Sequence, residues 1–214
     1  MGSLASALDQ STAALCGEEN WERHKATAAK FWQMVSDYLG TLDAKILKVY
    51  QDGFVSDGEL GKKIIEEGVR KGSKNYEIIF NLLSRGAEIV STEDMALLQE
   101  EYRLINQIIK AKTLSQRRLA YKEYESRKNQ LTMERDSFIA RAINETLEDG
   151  EVGFLFIGAY HDVVPHFAKD IAVEQLKERE KVKAYFDELM YGTDKRSFER
   201  LTRCLTSPVG AGVV

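Results

Sequence analysis

Between Gly86 and Gly150 the sequence holds no glycine and no proline. These are the residues that most strongly punctuate regular structure. A stretch of this length without either is constrained to be mostly helix once a short β-like run, Ala87-Glu88-Ile89-Val90, has passed. Left unbroken, residues 95–147 form a rod of about 80 Å at 1.5 Å per residue. A break near Thr113-Leu114-Ser115 turns it into a helical hairpin. Its segment 115–130 is dense in Arg, Lys, Glu, Tyr and Gln, a composition that suits a solvated face or a surface for a partner or a second copy.

On either side of this excursion the chain alternates between helical and strand periods. From Asn20 to about Leu39, Trp21, His24, Ala28, Phe31, Trp32, Val35 and Leu39 recur at three- and four-residue steps, and Gly40 supplies a stop. Ala44–Tyr50 reads as a strand, closed by a turn at Gln51-Asp52-Gly53. Residues 58–71 and 75–84 return to helical spacing. After Ala87–Val90, Thr92 is placed as an N-cap with Glu93 and Asp94 just inside. Phe154-Leu155-Phe156-Ile157 is a continuous apolar run, as expected of a strand buried on both faces, ending at Gly158. Ile171-Ala172-Val173 reads as a further strand, and 178–191 and 194–205 as helices. Residues 1–18 are a short helix or a frayed end, and 207–214 a loose tail. The pattern predicts one α/β domain over 1–206, with a small, mostly parallel sheet flanked by helices and the hairpin at 95–147.

The charge balance, 30 basic against 34 acidic side chains for a net −4, lacks the basic excess of a nucleic-acid binder and argues against an anionic membrane as partner. No apolar run approaches the about 20 residues of a membrane span. The N-terminus has neither the basic nor the apolar region of a secretory signal, although Gly2 and Ser6 match a loose myristoylation pattern. Cys16 and Cys204 lack zinc or redox spacing, which suits two reduced thiols, with a disulfide between them as the alternative. A cytoplasmic protein is expected.

In parallel sheets, ligands bind beyond the carboxyl ends of the strands. That rule selects Gln51-Asp52, Glu93-Asp94 and His161-Asp162. His161 follows a strand and two small residues, where a histidine serves as metal ligand, as proton donor and acceptor, or as a structural turn residue. Gln51, Asp52, Tyr160 and Asp162 are the ligand-contacting candidates around it, and His161 with Asp52 the candidate pair for a divalent metal. His166 is five residues on and beyond Pro165, so no helix face unites the two histidines. Asp52 before Gly53 also suits an ordinary turn aspartate, and Glu93 and Asp94 also suit helix-start acids. Arg135, on a helix before Phe138-Ile139, suits a cleft arginine that grips a carboxylate or phosphate, or a surface salt bridge. Phosphate-binding loops, dinucleotide fingerprints, nucleophile elbows and His-Glu-x-x-His motifs do not occur.

Arg135-Asp136 at a helix, the helix Ser137–Leu147, the strand Phe154–Ile157 and Gly158-Ala159-Tyr160-His161 follow one another in an order that resembles the TraB/ChaN/Tiki superfamily, which also takes in erythromycin-esterase-like proteins. The resemblance covers about residues 135–161. It implies an α/β sheet with polar residues gathered at the strand ends, and hydrolase chemistry that is metal-dependent in some members. It makes His161 a metal ligand or proton-transfer residue and Arg135 a cleft residue, with Glu93 and Asp52 added by strand-end position alone. The earlier Gly-x-x-His of that group has no counterpart here, so the chain is expected either to begin after that element or to lack half of such a site. Two readings follow. One is a hydrolase-like protein with a divalent metal as candidate cofactor and a small molecule or peptide as substrate, with His161, Arg135 and Glu93 as its catalytic candidates. The other is a non-catalytic ligand-binding or assembly protein that forms a homodimer through its long helices.

Overall fold

The structure, a computed structural model, describes residues 16–192 and 194–209. The expectations for residues 1–15, including the Gly2 and Ser6 pattern, and for the end of the tail lie outside the described residues. In chain order the elements are α1 (Glu18–Gly40), a 3-10 turn (Ala44–Ile46), β1 (Leu47–Gln51), α2 (Gly58–Arg70), α3 (Lys74–Ser84), β2 (Glu88–Val90), α4 (Met95–Lys110), α5 (Leu114–Thr146), β3 (Val152–Phe156), a 3-10 turn (Val164–His166), α6 (Arg179–Tyr191) and α7 (Lys195–Leu205). They group into two compact units. A sheet unit comprises Ala44–Glu66 and Ile79–Val173, and a helical unit comprises Glu67–Ile78 with the described parts of Met1–Asp43 and Glu174–Val214.

The sheet is wholly parallel, in the order β2-β1-β3, flanked by helices as the alternation of patterns predicts. Val49 pairs with Ile89 on one side and with Phe154 on the other. Parallel neighbours need long crossovers. Here α2 and α3 lie between β1 and β2, and the α4–α5 hairpin lies between β2 and β3. The strand covered on both faces is β1, whose residues Leu47, Lys48, Val49 and Tyr50 are all buried. The sequence pattern points to Phe154–Ile157 for that place, but β3 lies at an edge of the sheet, with Phe156 buried and Phe154, Leu155 and Ile157 half-buried. Two-residue alternation puts Lys48 and Tyr50 on one face. There the Lys48 ammonium donates to the carbonyl of Thr146 at the end of α5 and pairs with Glu151 at 2.8 Å. The Tyr50 hydroxyl bonds Thr146 Oγ1 at 3.0 Å. Tyr50 packs with Ile139, Ile143 and Val163, so the C-terminal half of α5 lies in the same core as the sheet.

Two further expectations give way. Ile171–Val173 is not a strand. Ile171 packs against the Tyr50 cluster, Val173 is 46% exposed, and among the described residues no strand pairs with this segment. Thr92 does not cap α4. Its hydroxyl donates to the carbonyl of Gln51, and Asp94 takes the cap by accepting from the amides of Ala96 and Leu97. The break in the long helical stretch is where the sequence places it. Thr113 and Gln116 exchange side-chain and backbone hydrogen bonds in a capping box that starts α5. α5 then runs for 33 residues, about 50 Å at 1.5 Å per residue. Leu104, Ala120 and Leu131 are buried on the hairpin. Arg127 joins its two helices, meeting Glu100 of α4 at 2.8 Å while also holding Glu134 on its own helix at 2.7 Å.

In the helical unit, Tyr185, Leu189, Phe198 and Leu205 form a cluster against which Cys16 packs. Tyr185 stacks on Phe198 and its hydroxyl meets His24 Nδ1 at 3.1 Å, so His24 belongs to this core. Both cysteines are free thiols. Among the described residues no helix is long and apolar enough to cross a membrane.

Candidate functional site

Each strand of the sheet unit is followed by a loop that carries one polar side chain into the same place. After β1 the chain turns at Gln51-Asp52-Gly53-Phe54, with the amide of Phe54 donating to the Gln51 carbonyl at 3.0 Å and Gly53 at φ 76°. Glycine suits that left-handed position. The Asp52 amide continues the β1–β3 pairing by donating to the Phe156 carbonyl at 2.9 Å. After β2, Thr92 is tied to this turn through both its hydroxyl and its amide, which delivers Glu93 to the turn's underside. After β3, Gly158-Ala159-Tyr160-His161 forms a turn of its own, closed by the His161 amide on the Gly158 carbonyl at 3.1 Å.

Helix α5 joins the three loops through two consecutive residues. Arg135 Nε donates to Glu93 Oε1 at 3.0 Å, Nη2 to Glu93 Oε2 at 2.6 Å and Asp52 Oδ1 at 2.7 Å, and Nη1 to Glu101 Oε2 on α4 at 2.5 Å. Glu93 also accepts from the Gly53 amide at 3.1 Å. Asp136 turns to the third loop, where Oδ1 lies 2.5 Å from His161 Nδ1 and Oδ2 accepts from the Asp162 amide at 2.8 Å. The circuit closes between His161 Nε2 and Asp52 Oδ2, 3.4 Å apart. A line therefore runs Asp136, His161, Asp52, Arg135, Glu93. With a proton on Nδ1 the ring donates to Asp136 Oδ1, an arrangement that leaves Nε2 turned towards Asp52.

Glu93 and Arg135 are shut away, with side-chain exposures of 0% and 7%, whereas Asp52 at 21% and Glu101 at 25% reach solvent. Burial opposes the charge on Arg135, but its hydrogen bonds to Glu93 and the fields of Asp52, Glu93 and Glu101 outweigh that and hold its pKa above the usual arginine value. A chain ordered β2-β1-β3 changes direction between β1 and β3, and the crevice at such a reversal is where parallel sheets take ligands. Asp52 and His161 face each other at that reversal.

His161, Asp52, Glu93 and Arg135, each singled out from the sequence, thus meet in one network. Arg135 gives its donors to protein carboxylates. Gln51 contributes its carbonyl to Thr92, and its side chain donates to the Asp52 carbonyl at 2.9 Å. Tyr160, 67% exposed, and Asp162, tied by its amide, stand at the rim. Asp94 serves as a helix cap, and His166 lies apart in its 3-10 turn. Asp136 and Glu101 are the members to which the sequence pattern assigns no role. A signal for Asp136 existed. Leu131, Ile139, Ala140 and Ile143 are buried on α5, and positions 135 and 136 fall three or four residues from them, on the same inward stripe. Glu101 stands three residues before buried Leu104, a weaker sign.

The donor set does not fit a divalent ion. His161 and Asp52 offer two ligands, Asp52 already holds the Arg135 guanidinium, and among the described residues no group of three or more His, Cys, Asp or Glu side chains is arranged to hold a metal. What remains is an oriented imidazole beside a part-exposed carboxylate, backed by a buried arginine. Comparison with protein-family models, with curated proteins and with solved structures gives no match.

Proposed function

We propose that this chain is a hydrolase-like α/β protein in which His161 and Asp52 act as a general acid–base pair in the crevice between β1 and β3, on a small molecule or peptide. The observation that carries the reading is the line Asp136–His161–Asp52 at that reversal of the sheet. Asp136 orients the imidazole, as a buried carboxylate does in acyl-transfer sites. One member of the pair takes a proton from an attacking water, whose oxygen bonds to the electrophilic carbon. The other gives a proton to the leaving group as its bond to that carbon breaks, and the 3.4 Å contact lets the pair exchange a proton between turnovers. Arg135 fixes Asp52 and Glu93 in place and is a positioning residue. The TraB-like resemblance over residues 135–161 supports hydrolysis as the reaction class.

The test is a panel of ester, amide and peptide substrates with the wild-type chain and with His161→Gln and Asp136→Asn. Turnover that falls by at least about 100-fold in His161→Gln, at an unchanged melting temperature, is the expected result. Turnover indifferent to both substitutions overturns it. A second reading, non-catalytic ligand binding, is favoured by the way Arg135 is already satisfied by three carboxylates. It expects no turnover and a saturable thermal shift with a small ligand that His161→Gln removes.

A further inference from the structure

From Tyr102 to Lys122, around the tip of the α4–α5 hairpin, the sequence contains Arg103, Lys110, Lys112, Arg117, Arg118 and Lys122 and no aspartate or glutamate. The net −4 of the whole chain, which argues against an anionic surface as partner, averages over this segment of opposite sign. Arg103 pairs with Glu123 at 3.3 Å. Among the described residues the other five cations form no ion pair, and all are exposed. These exposed cations are open to negative charge from outside.

The same tip carries apolar side chains with no cover. Leu114 is 80% exposed, Leu119 71%, Tyr121 55% and Ile109 47%. Leu114, Arg118 and Lys122 follow at four-residue steps along one line of α5, and with Ser115 and Leu119 they line one open depression. Cations alone would suit a nucleic-acid backbone, but its phosphates offer nothing to two protruding leucines. A second copy of the tip would set five cations against five. A surface that takes cations at a charged plane and aliphatic groups just beneath it is a bilayer with anionic headgroups.

We propose that the tip of the α4–α5 hairpin docks on an anionic lipid bilayer. Lys110, Lys112, Arg117, Arg118 and Lys122 meet the headgroups, and Leu114 and Leu119 enter the boundary with the acyl chains. The capping box at Thr113 and Gln116 holds the tip in shape for this. The inference is independent of the chemistry assigned to His161.

The test is co-sedimentation of the full chain with vesicles of phosphatidylglycerol and phosphatidylcholine in equal parts, against phosphatidylcholine alone. Binding to the mixed vesicles only, released by raised salt, is expected. Arg117→Glu with Arg118→Glu should weaken it by about tenfold or more, and Leu114→Ser with Leu119→Ser should weaken it at unchanged salt dependence. Circular dichroism checks the fold, and should either pair of changes disturb it, Lys110→Gln with Lys112→Gln replaces that pair. No binding to mixed vesicles, or binding that these variants leave intact, overturns the proposal. So does tighter binding to an oligonucleotide than to vesicles, which makes the partner a nucleic acid, or a dimer lost in the leucine variant without vesicle binding, which makes it a second copy.

Discussion

Arg135 meets Glu93, Asp52 and Glu101 with one planar fork, and Glu93 has no solvent to turn to if the fork is removed. Breaking a buried pair from one side leaves a charge uncompensated. Arg135→Ala is therefore expected to lower the unfolding free energy by about 3–5 kcal/mol, measured by urea denaturation. Arg135→Lys should recover only a minor part, because an ammonium lacks the fork that spans Glu93 and Asp52 together. Arginine's place in the site was legible in its position on a helix just before the apolar pair Phe138-Ile139, but its partners were not. Sequence separations of 42 and 83 residues join it to Glu93 and Asp52, and such contacts are made by the fold alone. The same applies to His161, visible as a histidine after a strand, and to Asp136, which orients it from 25 residues away.

At the level of elements, what could be read was what local chemistry decides. The step between α4 and α5 was legible because Thr113 and Gln116 supply a start signal where no glycine or proline supplies a stop. Thr113→Ala should cost about 1 kcal/mol, felt mainly at the tip, where hydrogen exchange of the first-turn amides of α5 should quicken while the Ile139–Ile143 amides keep their protection. Unchanged exchange at the first turn would show that the box contributes nothing there. Strand burial was less legible. Phe154–Ile157 is more continuously apolar than Leu47–Gln51, yet β1 is the central strand. Lys48 enters it because Glu151 and the end of α5 receive its ammonium, and no periodicity records that. Ile171–Val173 has the composition of a strand but not the partner, and a strand is defined by its partner.

Across the whole molecule, the pairs beneath the sheet contribute to how stability responds to pH. Burial pushes the Tyr50 phenol above its ordinary value of 10.0. The hydrogen bond to Glu151 pushes Lys48 above 10.5, and the same bond holds Glu151 below 4.5. For Tyr50 and Lys48 the stabilisation is complete below the unfolded values and is lost as pH rises through the folded ones. For Glu151 it is present above the unfolded value and lost as pH falls through the folded one. The melting temperature should therefore fall on both flanks, and Tyr50→Phe should soften the alkaline flank while leaving the acid flank in place. An alkaline flank unmoved by Tyr50→Phe would show that Tyr50 does not contribute to it. The 33 residues of α5 carry another property of the whole sheet unit. One helix, without glycine or proline, bears the basic tip at Arg118 and, about 25 Å further along at 1.5 Å per residue, the pair Arg135 and Asp136 that gathers all three loops. Tip and site thus share one continuous element, so a movement of α5 as a body would be felt by the carboxylates and the imidazole together.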